Sequence, residues 1–271
     1  MKVTLPFFIF LLLTQCTFGQ NLTTEDVFKR YLVSEDESTA KMIINSKDNL
    51  YSLFCQGALT ESLSEKIDLF SQFIKKNPKY GIAKAYLDRG IAYSLANKPD
   101  SAIVDLDKSI SLDPQKPYSY HFRGVSYAEL KNYDKAIADY SSAIKLDPEF
   151  KIAYYMRGLS FLNQEIYEKA LPEFSKVIEL DKTYDKAYYM RGQIFYLQET
   201  YEKALPEYSK VIELDKTSDQ AYLMRGRVYN KMGDYKKAIS DWKEVKKLNM
   251  GNLKKAEELI EKATEKMKEQ K

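Results

Sequence analysis

The chain has 271 residues, of which 44% are hydrophobic, 13% are aromatic and 30% are charged. This composition supplies enough apolar material for a folded body and differs from that of disordered chains, which are poor in aromatic residues. The formal net charge is only +3, so the charge balance indicates neither a nucleic-acid-binding protein nor one held electrostatically to an acidic membrane.

Residues 1–19 are predicted to be a signal peptide. Lys2 gives a positive start, residues 5–13 are almost wholly apolar, and small residues stand just before Gln20, which becomes the expected mature terminus. The apolar run is short for a membrane span. We therefore expect an exported protein, either periplasmic or secreted.

The two cysteines raise two questions, one about the route of export and one about the state of the remaining thiol. Cys16 could be the acylated residue of a lipoprotein signal, although Gln15 before it fits that motif poorly. The protein would then meet a membrane only through a lipid anchor at Cys16. If Cys16 is removed, Cys55 is the only thiol, and we predict that it is buried among apolar residues, with an intermolecular disulfide as the alternative.

Residues 20–48 read as a polar N-terminal segment. Ser34 and Glu37 have the spacing of a capping box, which predicts one short helix running through Ile43 and Ile44.

Residues 49–82 are predicted to form a degenerate pair of helices. The first contains Gly57. The second is capped by Ser62 and Glu65 and ends before Pro78. This pair precedes the repeats of residues 83–250, and a terminal repeat is expected to be atypical because one of its faces meets solvent.

Residues 83–250 repeat with a period of 34 residues. Each unit has an arginine followed by a glycine, an aromatic residue three positions later, an alanine twelve positions after the glycine, and a large hydrophobic residue four positions further on. These spacings place the apolar residues of each unit on one stripe of each of two helices, and the glycine predicts close helix–helix contact. The arginine–glycine pairs are Arg89–Gly90, Arg123–Gly124, Arg157–Gly158, Arg191–Gly192 and Arg225–Gly226.

Two of these units are near-copies. Residues 153–186 and 187–220 differ at only eight positions, four of which lie together in the first helix. Adaptation to a ligand would leave such a cluster, and random drift is the alternative. The four clustered differences are Leu159/Gln193, Ser160/Ile194, Leu162/Tyr196 and Asn163/Leu197.

Residues 251–271 are predicted to form a capping helix that begins after Asn252. Its lysines and glutamates are interspersed, which favours a solvated cap over a helix lying on a membrane. The expected apolar stripe comprises Leu253, Ala256, Leu259, Ile260, Ala263 and Met267.

The glycine, aromatic, alanine and large hydrophobic residues that recur in residues 83–250 resemble the signature of the tetratricopeptide repeat family. One difference is that tyrosine stands where that family often has tryptophan. The resemblance implies an all-α fold, a right-handed α-solenoid of helix-turn-helix repeats, here with a C-terminal capping helix. It also implies that the first helices line a concave groove. Residues at three of the four clustered differences would then face this groove.

Little in the sequence supports catalysis. His121 is the only histidine, so a metal site built on a histidine pair is excluded, and no glycine-rich phosphate loop is present. We therefore expect a non-enzyme without a cofactor or a bound metal.

The arginine column allows two interpretations. It could be a ladder that binds an anion, or each arginine could pair with an acid at one fixed position of the second helix of its unit. Each of the five units has both the arginine and the acid at the same positions, which favours internal ion pairs. The acids are Asp105, Asp139, Glu173, Glu207 and Asp241.

The groove implied by the resemblance is the predicted binding site for a protein or peptide partner, because tyrosine-rich surfaces suit such recognition. The lysine–asparagine pattern with which chaperone-binding members of the family clamp a terminal carboxylate is not reproduced. The residues expected to line the groove are Leu87, Ile91, His121, Val125, Tyr155, Leu159, Leu162, Tyr189, Gln193, Tyr196, Leu223, Arg227, Asn230 and Lys231.

Two other functions stay open at this stage. The protein could be a structural part of an envelope complex or a homo-oligomer that uses its convex face or its ends. Rows of aromatic side chains also stack on sugars, so a carbohydrate-binding protein is a third interpretation.

Overall fold

A computed structural model of the chain describes residues 23–46, 49–248 and 252–269. Across these ranges the secondary structure is helical, with no strand. The expected signal peptide and Cys16 lie outside the described residues. The chain divides into two compact units, one ending at Pro114 and one beginning at Gln115.

The first unit consists of three successive helical hairpins in its described part. Its helices are α1 (Thr24–Ser34), α2 (Glu37–Ile44), α3 (Asn49–Leu59), α4 (Leu63–Lys75), α5 (Ile82–Leu95) and α6 (Pro99–Leu112).

The second unit continues the same alternation of a first and a second helix in each repeat, and each helix packs on the next. Its helices are α7 (Pro117–Glu129), α8 (Tyr133–Leu146), α9 (Lys151–Asn163), α10 (Tyr167–Leu180), α11 (Asp185–Leu197), α12 (Tyr201–Leu214), α13 (Asp219–Lys231), α14 (Tyr235–Leu248) and α15 (Leu253–Glu269).

The segment that read as polar contains two helices instead of one. Ser34 ends α1, and the cap of α2 is Asp36, whose Oδ1 accepts a hydrogen bond from the Thr39 amide at 2.7 Å. The α1 helix begins at a capping box formed by Thr23 and Asp26.

An aromatic cluster holds the first unit together. Phe28 of α1 is fully buried and stacks on Tyr51 with ring centroids 4.3 Å apart, and Phe54 meets Phe70 and Phe73 edge-on at 5.3 and 5.2 Å. Cys55 lies in this core as predicted, and burial raises the pKa of its thiol to about 12. The thiol is therefore protonated at neutral pH and is poorly reactive.

The glycine column brings the two helices of each repeat close together, as the sequence predicted. A Cβ at Gly124 would lie 2.8 Å from the Tyr140 ring, and a Cβ at Gly226 would overlap the Trp242 ring. The large ring at the second position therefore occupies the space that the glycine leaves.

The turn between the helices of each repeat has one residue in the left-handed region. Four of the five are not glycine, and their φ values are between 56° and 59°. Only Gly233 meets this requirement without steric cost. The residues at this position are Asn97, Lys131, Glu165, Glu199 and Gly233.

The final helix caps the array as predicted. Ala256 and Ala263 of α15 are buried in one cluster with Trp242 and Leu223, and Trp242 Nε1 donates to the Leu223 carbonyl oxygen at 3.1 Å. Within the described ranges, no helix is long and apolar enough to cross a bilayer, and no group of potential ligands could hold a metal ion.

Candidate functional site

The arginine column forms internal ion pairs, as predicted. Where the acid is aspartate, as in Arg225 with Asp241, the carboxylate accepts from both Nε and Nη2, at 2.9 and 2.8 Å. Where the acid is glutamate, as in Arg191 with Glu207, both carboxylate oxygens bind Nη2 alone, at 2.8 and 2.9 Å. The five pairs are Arg89–Asp105, Arg123–Asp139, Arg157–Glu173, Arg191–Glu207 and Arg225–Asp241.

The glutamate pairs have two electrostatic costs. The buried Nε atoms of Arg157 and Arg191 have no hydrogen-bond partner among the described residues. Burial also raises the pKa of Glu173 and Glu207, although the arginines oppose that shift. The longer side chain places its carboxylate beyond the reach of Nε.

The same arginines join neighbouring repeats. The Nη1 atom of Arg191 donates to Ser175 Oγ at 3.2 Å, and its guanidinium lies 5.7 Å from the Tyr188 ring centroid. The arginine column is therefore engaged in repeat packing and is not a ligand ladder. The corresponding bonds elsewhere are Arg89–Ser71, Arg157–Ser141 and Arg225–Ser209.

The predicted groove residues differ in how much surface they offer. Leu87, His121 and Leu223 are buried, so they contribute packing and not a contact surface. Lys231 is exposed. Of the others, Ile91 belongs to the first unit, and the half-buried residues of the second unit are Val125, Tyr155, Leu159, Leu162, Tyr189, Gln193, Tyr196, Arg227 and Asn230.

The three groove tyrosines pack edge-on or tilted against other rings. Tyr155 lies 5.7 Å from Phe174 and 5.4 Å from Tyr184, Tyr189 lies 5.6 Å from Tyr208, and Tyr196 lies 5.8 Å from Tyr201. Burial raises the pKa of Tyr155 to about 12 and also raises that of Tyr189. These rings are neutral and held in place, with part of each exposed.

Three exposed apolar residues of the same helices were missed by the sequence reasoning. Tyr118 of α7, Ile152 of α9 and Leu197 of α11 are 55%, 45% and 47% exposed. Tyr118 and Ile152 stand three residues before His121 and Tyr155, so helical spacing could have found them. Together with the half-buried residues above, which include Arg227, and with the exposed Lys231, they define what we call the first-helix face of the second unit.

One end of the first-helix face is basic. The Arg227 guanidinium forms no ion pair within the described part of the chain, and its one hydrogen-bond contact there is with the Met224 sulfur at 3.7 Å. Asn230 and Lys231 follow on the same helix. This end has donors to offer an anionic group.

Two buried groups beneath the other end lack partners. His121 Nδ1 and the Tyr140 hydroxyl have none among the described residues, and their rings are 5.8 Å apart. Burial lowers the pKa of His121 to about 4. This histidine is therefore neutral at physiological pH.

A separate cleft of about 290 Å³ lies in the first unit. Lys84 bridges Glu35 at 3.0 Å and Asp88 at 3.5 Å across it, and burial raises the pKa of Asp88. Ile91 and Leu95 line its apolar side. Lys66 also lines the cleft, so two lysines face two carboxyl groups there.

Comparison with known proteins identifies the family. The description "Tetratricopeptide repeat" matches residues 83–116, 117–150, 152–184 and 219–249, and "TPR repeat" matches residues 192–233. No curated protein sequence matches the chain.

Several solved structures share the fold. MamA residues 41 to the end from Desulfovibrio magneticus RS-1 is 24% identical, with a TM-score of 0.58, covering 62% of this chain and 94% of that one. YrrB, described as a TPR protein with an unusual peptide-binding site, is 21% identical, with a TM-score of 0.58, covering 72% and 97%.

The C-terminal part of a TPR repeat-containing protein from Cytophaga hutchinsonii is 22% identical, with a TM-score of 0.61, and the match covers 79% of each chain. At these identities the likeness concerns the fold. Together with the matched repeats, it shows that this chain belongs to the tetratricopeptide repeat family.

Proposed function

We propose that the second unit binds an extended segment of another protein along its first-helix face and has no catalytic role. Members of this family serve as scaffolds for protein–protein interaction, and one similar structure is described as having a peptide-binding site. The observation that carries the proposal is the combination of held tyrosine rings with Tyr118, Ile152 and Leu197, which leave apolar surface in water on the same helices.

The chemistry of this face favours a partner segment that is apolar or aromatic along most of its length. Rigid tyrosine rings provide contact area at a small entropic cost, because few rotatable bonds must be fixed. Exposed residues such as Ile152 and Leu197 gain free energy when a partner removes them from water. The basic end formed by Arg227 and Lys231 favours an acidic group in the same segment.

The test begins with a displayed library of twelve-residue peptides selected on the full chain. Affinities of the selected peptides are then measured for Tyr118→Ser, Ile152→Ser and Leu197→Ser. Ile152→Ser and Leu197→Ser change exposed aliphatic side chains. Tyr118→Ser also removes a contact with the Phe150 ring at 4.9 Å, so its melting temperature is measured alongside its affinity. Tyr155→Ala and Tyr189→Ala would likewise remove ring packing on Phe174 and Tyr208.

We expect each serine variant to weaken binding by roughly tenfold, the effect of losing a contact of moderate strength. Val104→Ser is the matched control, since Val104 is also exposed and apolar but lies on a second helix of the first unit. Equal affinities for all four variants, or a library that yields no peptide, would exclude this face as the binding site.

The proposal includes action outside the cytoplasm. It is supported by Lys2 and the apolar run of residues 5–13. Mass spectrometry of the protein from its native host tests it: a mature chain beginning at Gln20 is expected, whereas a chain beginning at an acylated Cys16 supports the lipoprotein alternative. A chain that retains Met1 contradicts export by either route.

A second function is edge-to-edge assembly in an envelope complex or homo-oligomer. It is favoured by Val33 and Met42, which are exposed on the α1–α2 hairpin at one end of the first unit. Under this alternative, Val33→Ser with Met42→Ser abolishes self-association in analytical ultracentrifugation, and the serine variants of the first-helix face have no effect.

A further inference from the structure

The Tyr208 hydroxyl is a buried polar group without a partner. The side chain is fully buried, and the hydroxyl has no hydrogen-bond partner in the part of the chain that the structure describes. An unmet hydrogen bond of this kind is costly to a folded protein. The equivalent residue of the near-copy is Phe174, which fills the same space without a hydroxyl. The repeat therefore folds without this group, and its presence calls for a reason other than packing.

The surroundings of Tyr208 place its ring against the first-helix face. The Tyr189 ring lies 5.6 Å away, and Tyr196 packs on the same buried cluster as Tyr208. The outer ring atoms of Tyr208 also lie against Gly192 on the first helix α11. Tyr208 thus reaches from the second helix to the residues that a bound segment would touch.

Arg227 supplies positive charge at the same place. Met224 packs on the buried cluster that contains Tyr208, and Arg227 Nη1 lies 3.7 Å from the Met224 sulfur. The Arg227 guanidinium has no acidic partner within the described ranges. The neighbouring acid is Asp219, which raises the pKa of Tyr189 but already accepts from the Asn252 amide at 3.0 Å. The Arg227 guanidinium is therefore a cationic donor that a bound anion can use.

The differences between the near-copies point to the same spot. Where one copy has Leu159, Leu162 and Phe174, the other has Gln193, Tyr196 and Tyr208. Each of these three changes adds a polar group, and Gln193 and Tyr196 lie half-buried on the helix that Tyr208 touches. The second copy therefore has three polar groups around this point of the first-helix face that the first copy lacks, whereas Ile194 and Leu197 stand where the first copy has Ser160 and Asn163.

We propose that Tyr208 and Arg227 form a subsite for one carboxylate of the bound segment and that this subsite becomes accessible when the Tyr196 side chain moves. The Tyr208 hydroxyl and the Arg227 guanidinium donate hydrogen bonds to the carboxylate once the half-buried side chains of Arg227 and Tyr196 turn aside. Charged acceptors form the stronger hydrogen bonds with such donors. This inference rests on the proposed function, because it assigns one residue of the segment that the first-helix face binds.

Tyr208→Phe gives a test in which stability and affinity move in opposite directions. Without a peptide, removal of the unpaired hydroxyl is expected to raise the melting temperature by about 2–4 °C. With a selected peptide, the same variant is expected to bind roughly tenfold to a hundredfold more weakly. Tyr140→Phe is the matched control: its hydroxyl is also unpaired, so the melting temperature rises, but the affinity stays unchanged.

The carboxylate is tested with the peptides selected on the full chain in the library experiment. We expect them to share an acidic residue at a fixed position. Its replacement by the amide should weaken binding to the wild type by roughly tenfold or more and have little effect on Tyr208→Phe or Arg227→Gln.

The possible failures are distinguishable. Peptides that bind through Ile152 and Leu197 but carry no common acid would overturn the subsite and leave the proposed function standing. A library without binders would remove both. A lower melting temperature for Tyr208→Phe would show that the hydroxyl is satisfied within the fold, and it would also overturn the subsite.

Discussion

Replacement of Arg191 by alanine tests the structural role of the arginine column. The substitution removes two hydrogen bonds to Glu207, one to Ser175 and the stacking on Tyr188. It also leaves the Glu207 carboxylate, which is only 11% exposed, without its cation. Loss of one partner of a buried ion pair costs about 3–5 kcal/mol. Because Arg191 is 23% exposed, solvent reduces this loss, and we expect about 2–4 kcal/mol.

The loss should depend on pH in a defined direction. Burial raises the pKa of Glu207 in the folded protein above its unfolded value. A carboxyl group with a raised pKa destabilises the fold when ionised, and this cost disappears as the pH falls through the folded pKa. Without Arg191 the cost is larger. The difference in unfolding free energy between wild type and Arg191→Ala should therefore shrink on acidification.

Urea unfolding followed by circular dichroism, at neutral and acidic pH, measures both effects. Lys210→Ala is the control, because the Lys210–Glu213 pair lies on the surface of the same repeat, and such pairs contribute at most about 1 kcal/mol. If Arg191→Ala is no more destabilising than Lys210→Ala, or if its effect grows on acidification, the assignment of the column to repeat packing is refuted.

Three further predictions follow from local geometry. Glu207→Asp should stabilise the protein by about 1 kcal/mol in urea unfolding, because the shorter side chain lets the carboxylate reach the unpaired Arg191 Nε, as in the Arg225–Asp241 pair. This value includes the loss of one buried methylene. A loss of stability would contradict this geometry. Gly233→Ala should lower the unfolding free energy by about 1 kcal/mol, since its φ is 81° and no atom crowds the site; an unchanged melting curve would show that the turn relaxes. Between pH 6.5 and pH 4, His121 should lower the unfolding free energy by up to about 3 kcal/mol, because unfolded His121 binds a proton that the folded state rejects; this contribution, measured as the difference between wild type and His121→Phe, should be absent in the variant.

The repeat architecture could be predicted because its requirements are local. In every unit the large hydrophobic residue follows its glycine by 16 residues, and the acid follows its arginine by the same distance, as Glu207 follows Arg191. The alanine follows the glycine by 12 residues. The length of the repeat and the positions of these residues within it then determine which side chains contact one another. Local patterns of apolar residues likewise sufficed to predict that Cys55 is buried and that the last helix packs on the final repeat.

The α1 helix could not be found in this way because its stability comes from contacts distant in sequence. Phe28 is buried by Tyr51, Phe54 and Phe73, which belong to the following hairpin. The local sequence around it is rich in polar residues, and the only helix that the sequence predicts in this segment is the one running through Ile43 and Ile44. The cap at Thr23 was the one local signal.

The groove residues show that a position in the family's repeat does not by itself determine whether a side chain is exposed. His121 occupies a groove column but is buried, because Phe150 and Tyr140 pack on its ring at 5.2 and 5.8 Å. Exposure depends on the size of such neighbours, which change from repeat to repeat. The unpaired Tyr208 hydroxyl was likewise invisible in the sequence, although the Phe174/Tyr208 difference between the near-copies marked its position.

The central claim is that the first-helix face of the second unit contacts the partner. A photoreactive benzoylphenylalanine at Leu197, compared with one at Glu202 on the second helix of the same repeat, tests it most directly. Both positions are exposed. The account predicts that a selected peptide, irradiated with the full chain, crosslinks at position 197 and not at position 202. Equal crosslinking at both positions, or crosslinking at position 202 alone, would contradict it.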